Sequence, residues 1–275
     1  MNRMKECMLA VTKDSTAIYR YLEFTDNFPI MQKVIKKEPS LYSLISPKLE
    51  SNLTLAELAM KCRSNYDLLS DELKKNRRII LALFKNAVSS KQVEEIYNLI
   101  EDKDSIYVLE GLCKSVPYET VIKLLTEQCK TIEECLEKNK ENIEFVFSAI
   151  EIINWCPLLI PYFIPYLRSN WIVSTLAKHG EVIDKIMDEK LERILNESWA
   201  LIYLARENEQ LLLQCLRMIE IKKETMIKVM VEVPTLYKFM VNEGLEVPLL
   251  TDLNDAYYQH MLKLQKLSET NDKCV

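Results

Sequence analysis

The sequence predicts an all-α fold of the α-solenoid kind, a superhelix of stacked helical hairpins. Three observations point there. Apolar residues recur at a spacing of 24: Cys7, Ala10 and Val11 return as Met31, Val34 and Ile35, then as Leu55, Leu58 and Ala59, then as Ile79, Ala82 and Leu83. Each trio has the i, i+3, i+4 spacing of one helix face, and Ile18, Tyr42 and Tyr66 move with the same period. Residues 34–52 also align on residues 58–76 without a gap. A fixed period of this size marks repeats that bury their apolar faces only against their neighbours. Finally, the chain has only three glycines in 275 residues, against a usual share of about 7%. Sheets and tight turns consume glycine, so the depletion favours helices joined by short polar turns.

The elements follow in order. In the second unit Ile30 to Lys36 reads as one helix and Leu41 to Ile45 as a shorter one. Ser46 before Pro47, and Ser70 before Asp71, look like N-caps followed by a residue suited to a first turn. Asn52 and Asn76 then cap the next long helix. One unit is thus a long helix, a short helix and a capped turn, the brick of a solenoid.

Residues 1–90 carry these regular repeats. Residues 91–267 read as longer, degenerate repeats continuing the superhelix, and residues 268–275 as a frayed tail. A two-part division near residue 90 or 140 is the alternative to one continuous stack. Val93, Ile96, Tyr97 and Ile100 share one face, as do Val121, Leu124, Leu125 and Cys129. Ile143, Phe147 and Ile150, with Asn154 at the edge, read as a third buried face. Lys130 to Glu141 is rich in Glu, Lys and Asn and reads as a loop or an exposed helix. Trp171 with Leu176, and Trp199 with Leu204, open two similar blocks 28 residues apart. Met226, Val229 and Met230 mark another helix, Gly244 a break, and Tyr257 to Leu267 a terminal helix.

At 48% hydrophobic residues the chain is too apolar for disorder. Its net charge is −5, unevenly spread. Residues 1–90 hold 15 Lys and Arg against 10 Asp and Glu, so the front is basic and the rear acidic, an asymmetry able to steer a partner. The cysteines at 7, 62, 113, 129, 135, 156, 215 and 274 form no Cys-x-x-Cys pair, and His179 and His260 are the only histidines. A zinc site needs clustered ligands, so none is expected. Several cysteines occupy apolar helix positions, as small hydrophobes do. Free buried thiols and the lack of a secretory apolar run suggest a reducing, cytoplasmic setting.

Two segments stand out as functional candidates. From Trp155 to Leu167, Pro157, Pro161 and Pro165 fall every four residues, which disfavours a continuous helix. This leaves Trp155, Tyr162, Phe163, Tyr166 and Trp171 as candidate partner-binding aromatics, of the kind that anchor interfaces. The competing reading is a short helix with Pro157 in its first turn and the apolar residues in the core. The run is too interrupted to span a membrane. The second segment is a basic cluster, Lys74, Lys75, Arg77 and Arg78, with Lys36 and Lys37 on a neighbouring unit. Aligned by stacking, these would form a phosphate-binding stripe; the acidic total and the absence of interleaved aromatics favour a solvated turn.

No nucleotide-binding or nucleophile-elbow glycine motif occurs. His179 stands before Gly180 at a helix end, where the dipole suits it, and His260 reads as a surface residue. Glu133, Glu134, Glu141 and Glu144 read as solubilising. No catalytic residue, metal ligand or cofactor is assigned from the sequence.

The unit from Asn52 to Asn76 has a polar cap, an aliphatic helix, a short apolar helix and then Ser-x-x-Leu at Ser70 to Leu73. On this pattern the first 90 residues, about a third of the chain, resemble a family of tandem helical-hairpin repeats of about two dozen residues, a domain of unknown function found in bacterial and protist proteins. Arg63, Ser64 and Asn65 replace the polar residue and glycine usual there before the second helix. The resemblance implies an α-solenoid with no assigned chemistry, and no site residues carry over.

The expected function is a scaffold that binds another protein on its repeat surface, with a regulator or host-directed effector as forms it would take. The alternatives are a helical-repeat nucleic-acid binder and an enzyme whose site lies in the later repeats.

Overall fold

The computed structural model describes residues 3–127, 131–257 and 259–260. It is all-α, with no strand among the described residues. The chain divides into two compact units, residues 1–155 and 156–275. The strict 24-residue period ends inside the first unit, so the change of repeat length and the division of the chain do not coincide.

The first unit is built on the predicted period. Its long helices are α1 (Arg3–Lys13), α2 (Phe28–Lys37), α3 (Leu53–Ala59) and α5 (Arg77–Lys85). They pack in chain order, each against the next. Between them lie tight 3-10 turns at Ser15–Arg20, Pro39–Leu44 and Arg63–Leu68, again 24 residues apart. The expected second helix is therefore a six-residue 3-10 segment, a tight connector between helices.

The caps are where the sequence puts them. The side chains of Asn52 and Asn76 accept from the backbone N–H groups of Leu55 and Arg78. Ser46 and Ser70 cap the short turns, the second at α4 (Asp71–Lys74). Cys7, Val11, Met31, Val34, Ile35, Leu55, Ala59, Ile79 and Leu83 are all fully buried. Tyr42 and Tyr66, one period apart, each donate a long 3.4 Å hydrogen bond to the carbonyl eight residues on. Asn65 is buried and satisfied: its amide donates to the carbonyls of Pro39 and Ala59, tying one repeat to the one before.

The unit continues with α6 (Ser90–Leu99), α7 (Ile106–Ser115), α8 (Tyr118–Glu127), α9 (Ile132–Asn139) and α10 (Phe145–Trp155). Thr131 and Glu134 form a reciprocal capping box, so 132–139 is helical. Helix α7 is the centre: α5, α6, α8, α9 and α10 all pack on it, and its residues from Val108 to Cys113 are all buried. Gly111 makes the α5–α7 approach possible, because a Cβ there would stand 2.2 Å from Phe84 Cδ2.

One expected face is reversed. Helix α10 buries Phe145, Ser148, Ala149, Ile152 and Ile153, while Ile143 and Phe147 are 94% and 68% exposed. Apolar residues stand around most of this helix, so periodicity did not determine which side faces inward, and Ile143 lies ahead of its first turn.

The second unit holds α11 (Ile160–Phe163), α12 (Ser169–Lys178), α13 (Ile183–Ile186), α14 (Glu189–Leu195), α15 (Ser198–Glu207), α16 (Glu209–Met218), α17 (Lys223–Glu232) and α18 (Thr235–Asn242). Helices α12, α15 and α17 pack in succession. Leu176 and Leu204, the apolar members of the two Trp-containing blocks, are fully buried. Gly244, at φ 68°, closes α18, with Leu245 N–H bonded to Met240 O. This is a Schellman ending that glycine suits. Helical backbone resumes at 250–257, ahead of the expected Tyr257 start; most of the expected terminal helix and the whole 268–275 tail lie outside the described residues.

Gly111→Ala should lower the melting temperature by an amount corresponding to about 1–3 kcal/mol, because overpacking against Phe84 outweighs the better helix propensity. A gain of about 1 kcal/mol, as propensity alone would give, would show that Phe84 yields.

Candidate functional site

The first unit carries an open groove of about 730 Å³ crossing α2, α3 and α5. Its floor is Leu58, Leu81 and Ala82, half-buried apolar residues on the outer edge of the core-facing stripe. Two of these, Leu58 and Ala82, are the middle members of their recurring trios. Those positions therefore serve the core on one side and the groove on the other.

The rim is cationic: Lys33, Lys36, Lys61, Arg78 and Lys85 line it, with Glu57 as the one acid. Glu57 is held by Arg78 in an ion pair. Lys33 Nζ donates to Thr12 Oγ1 at 3.2 Å, and Lys37 Nζ to the Thr12 carbonyl. Among the described residues no carboxylate lies within ion-pair distance of Lys36, Lys61 or Lys85.

Two of these lysines, Lys61 and Lys85, belong to a period that the reading of apolar residues passed over. Lys13, Lys37, Lys61 and Lys85 stand 24 apart, at or just past the C-terminal ends of α1, α2, α3 and α5. A cation there is favoured by the helix dipole. Applied to charges instead of hydrophobes, the same search for a period would have found them.

The predicted basic cluster does not act as one patch. Lys74 lies over the Tyr66 ring, 5.7 Å from its centre. Lys75 and Lys74 line a different recess, shared with Asp71, Glu101 and Asp102. Arg78 turns to α3 and Arg77 to α7. Lys74 and Lys75 end α4 while Arg77 and Arg78 begin α5, and the two arginines, adjacent on a helix, point about 100° apart, so the four reach three places.

Arg77 leads to the most unusual electrostatics in the unit. Glu110, in the middle of α7, has no exposed surface. Arg77 grips it in bidentate fashion, Nε to Oε2 at 2.9 Å and Nη2 to Oε1 at 2.7 Å. Lys114 donates to the same Oε1 at 2.9 Å and reaches Glu151 on α10 at 2.6 Å. Burial pushes the Glu110 carboxyl up, but hydrogen bonds from Arg77 and Lys114, with the nearby Ser148 hydroxyl, outweigh it and hold the pKa below its ordinary value of 4.5. The hydrogen bond to Glu110 raises the pKa of Arg77. Every charge in this group is answered by another, so it is a clamp across α5, α7 and α10.

The aromatics fall on both sides of the division. Trp155 ends the first unit and is 60% exposed. In the second unit Tyr162 and Tyr166 are half-buried. Phe163 is fully buried in α11 and leaves the set of surface candidates, because the turn begun by Pro157 points it inward with Leu159 and Ile160. Trp171 is exposed on α12. Trp199 and Tyr203, not among the predicted binders, are exposed on the adjoining α15, and Tyr203 Oη lies 3.4 Å from Ser174 Oγ on α12.

No family model, curated protein or solved structure matches this chain. Its own surfaces carry the functional reading. Burial raises the pKa of Cys7, and drives the thiols of Cys135 and Cys215 up to about 12; a thiol so placed is a poor nucleophile. None of the six described cysteines is in a disulfide. His179 and His260 sit 3.8 and 3.7 Å from Glu181 and Glu232. No group of three or more metal-ligating side chains is found among the described residues, and no described helix is long and apolar enough to cross a membrane.

Arg77→Met should cost about 3 kcal/mol at neutral pH, since it strips a buried carboxylate of its main partner while Lys114 remains. The Glu110 contribution is fully present above pH 4.5 and is lost as pH falls through the depressed folded-state value. Denaturant titrations of wild type and variant should therefore show the widest stability gap near pH 7 and a narrower one below pH 4.5. A gap independent of pH would remove Glu110 from the explanation.

Proposed function

We propose that this chain is a helical-repeat scaffold that binds another protein. One observation carries this reading: the groove across α2, α3 and α5 combines an apolar floor with a rim of cations, several of them with no carboxylate partner among the described residues. An apolar floor rewards a ligand with side chains to bury, and the rim selects its charge. A bare polyanion would use the rim and leave the floor empty. The 24-residue pattern, and its resemblance to tandem helical-hairpin repeats, support the same reading. So do Trp171, Trp199 and Tyr203, large aromatics exposed on adjoining helices of the second unit and of the residue types that dominate interface energetics. Thiols outside disulfides and buried in the core suit a reducing compartment, and we place the protein there.

Capture from a nuclease-treated lysate of the natural source, at low and moderate salt, tests the proposal. A defined protein retained at moderate salt is expected. Recovery of nucleic acid alone, lost steeply as salt rises, would transfer the reading to a nucleic-acid binder, and an empty eluate at both salts would overturn the scaffold. The double change Trp171→Ala with Trp199→Ala reports on the second surface. It should weaken capture while moving the melting temperature by about 2 °C or less, since exposed substitutions usually cost under about 0.5 kcal/mol.

A further inference from the structure

We infer that the groove of the first unit takes an extended acidic segment of a partner protein, with an Asp or Glu at every third position. The inference rests on the scaffold reading and specifies its ligand. Charge complementarity gives the sign. Among the described residues, Lys36, Lys61 and Lys85 line the groove with no carboxylate in ion-pair reach, and the one acid of the lining, Glu57, is already taken by Arg78. Dipole capping explains why a lysine suits each helix end, and Lys37 does interact with such an end, at the Thr12 carbonyl. It does not explain why Lys61 and Lys85 both line the groove without a carboxylate partner among the described residues.

The spacing gives the conformation. Lys61 and Lys85 occupy the same place in successive repeats, and their helices α3 and α5 pack side by side. Packed helices stand about 8–10 Å apart, so equivalent lysines present a charge at about that interval. A polyproline II segment rises about 3.1 Å per residue with three residues per turn, so every third side chain returns to one side after about 9.3 Å. A β-strand matches poorly: its same-side positions recur at about 6.7 Å or 13 Å. The two remaining side chains of each turn fall toward the strip formed by Leu58, Leu81 and Ala82, so small apolar residues or proline are favoured between the acids.

The probe is a labelled nine-residue peptide of three Glu-Pro-Pro triplets, measured by fluorescence anisotropy against the full chain at moderate salt. Its control has the same composition with the three glutamates adjacent, and a single-stranded oligonucleotide of equal charge is a second control. The triplet peptide should bind more tightly than either. The double reversal Lys61→Glu with Lys85→Glu should weaken it by about tenfold or more, two exposed attractions having become repulsions. Lys61→Arg with Lys85→Arg should retain binding, and melting temperatures should stay within a few degrees because both positions are exposed. Equal binding of the clustered peptide would overturn the register, tighter binding of the oligonucleotide would overturn the ligand class, and indifference to the charge reversal would overturn the site. The reversed variant also goes through the lysate capture. If it retains the same proteins as wild type, the groove inference fails and the scaffold stands; if wild type retains no protein, the scaffold itself fails.

Discussion

A carboxylate held away from water organises the first unit. Glu110 sits at the centre of the helix that five others surround, and an ion there is tolerated only if its charge and lone pairs are answered locally. Arg77 and Lys114 answer them, and Glu151 in turn answers Lys114, so three helices are locked at defined positions along their axes. Hydrophobic contacts alone are forgiving of small slides, whereas a bidentate guanidinium–carboxylate pair fixes register. Gly111, next in sequence, lets α7 come close enough to Phe84 for that pair to form.

The groove follows from the same arrangement. Arg77 and Arg78 are neighbours on α5 with opposite duties: one turns in to Glu110, the other turns out to Glu57 on α3. Fixing α5 through the first arginine fixes where the second stands, and with it the position of Lys85 relative to Lys61. The recurring trios contribute too. Their first and third members fill the core, and the middle one, at Leu58 and Ala82, stays half-covered as groove floor. One short pattern thus supplies both the stacking surface and the floor of the groove.

Much of the regular part was legible in the sequence. The 24-residue period, the asparagine and serine caps and the buried trios follow from local rules of spacing and hydrogen bonding, and they appear in the structure at the residues that signalled them. What escaped was non-local. Glu110 and Arg77 lie 33 residues apart, and nothing near either marks the other. Helix α7 is apolar around most of its girth, so it shows no preferred face. The same property of α10 sent Phe147 to the surface against expectation, and Ile143 lies ahead of that helix. Phe163 was ambiguous for a related reason: an aromatic in a proline-rich run serves core and interface equally well until packing decides. The lysine period was present in the sequence throughout, but polar repeats are easily read as ordinary solvated faces.

The 3-10 turns between the long helices have a kinetic corollary. They are too short to hold distant parts of the chain apart, so in the regular repeats the elements that pack together lie within about one repeat of each other. Closing loops of that size costs little entropy, and ordering can spread from one repeat to its neighbour without waiting for a remote partner. Helix α7 leans on five others, which makes it the part of the unit that is hardest to open.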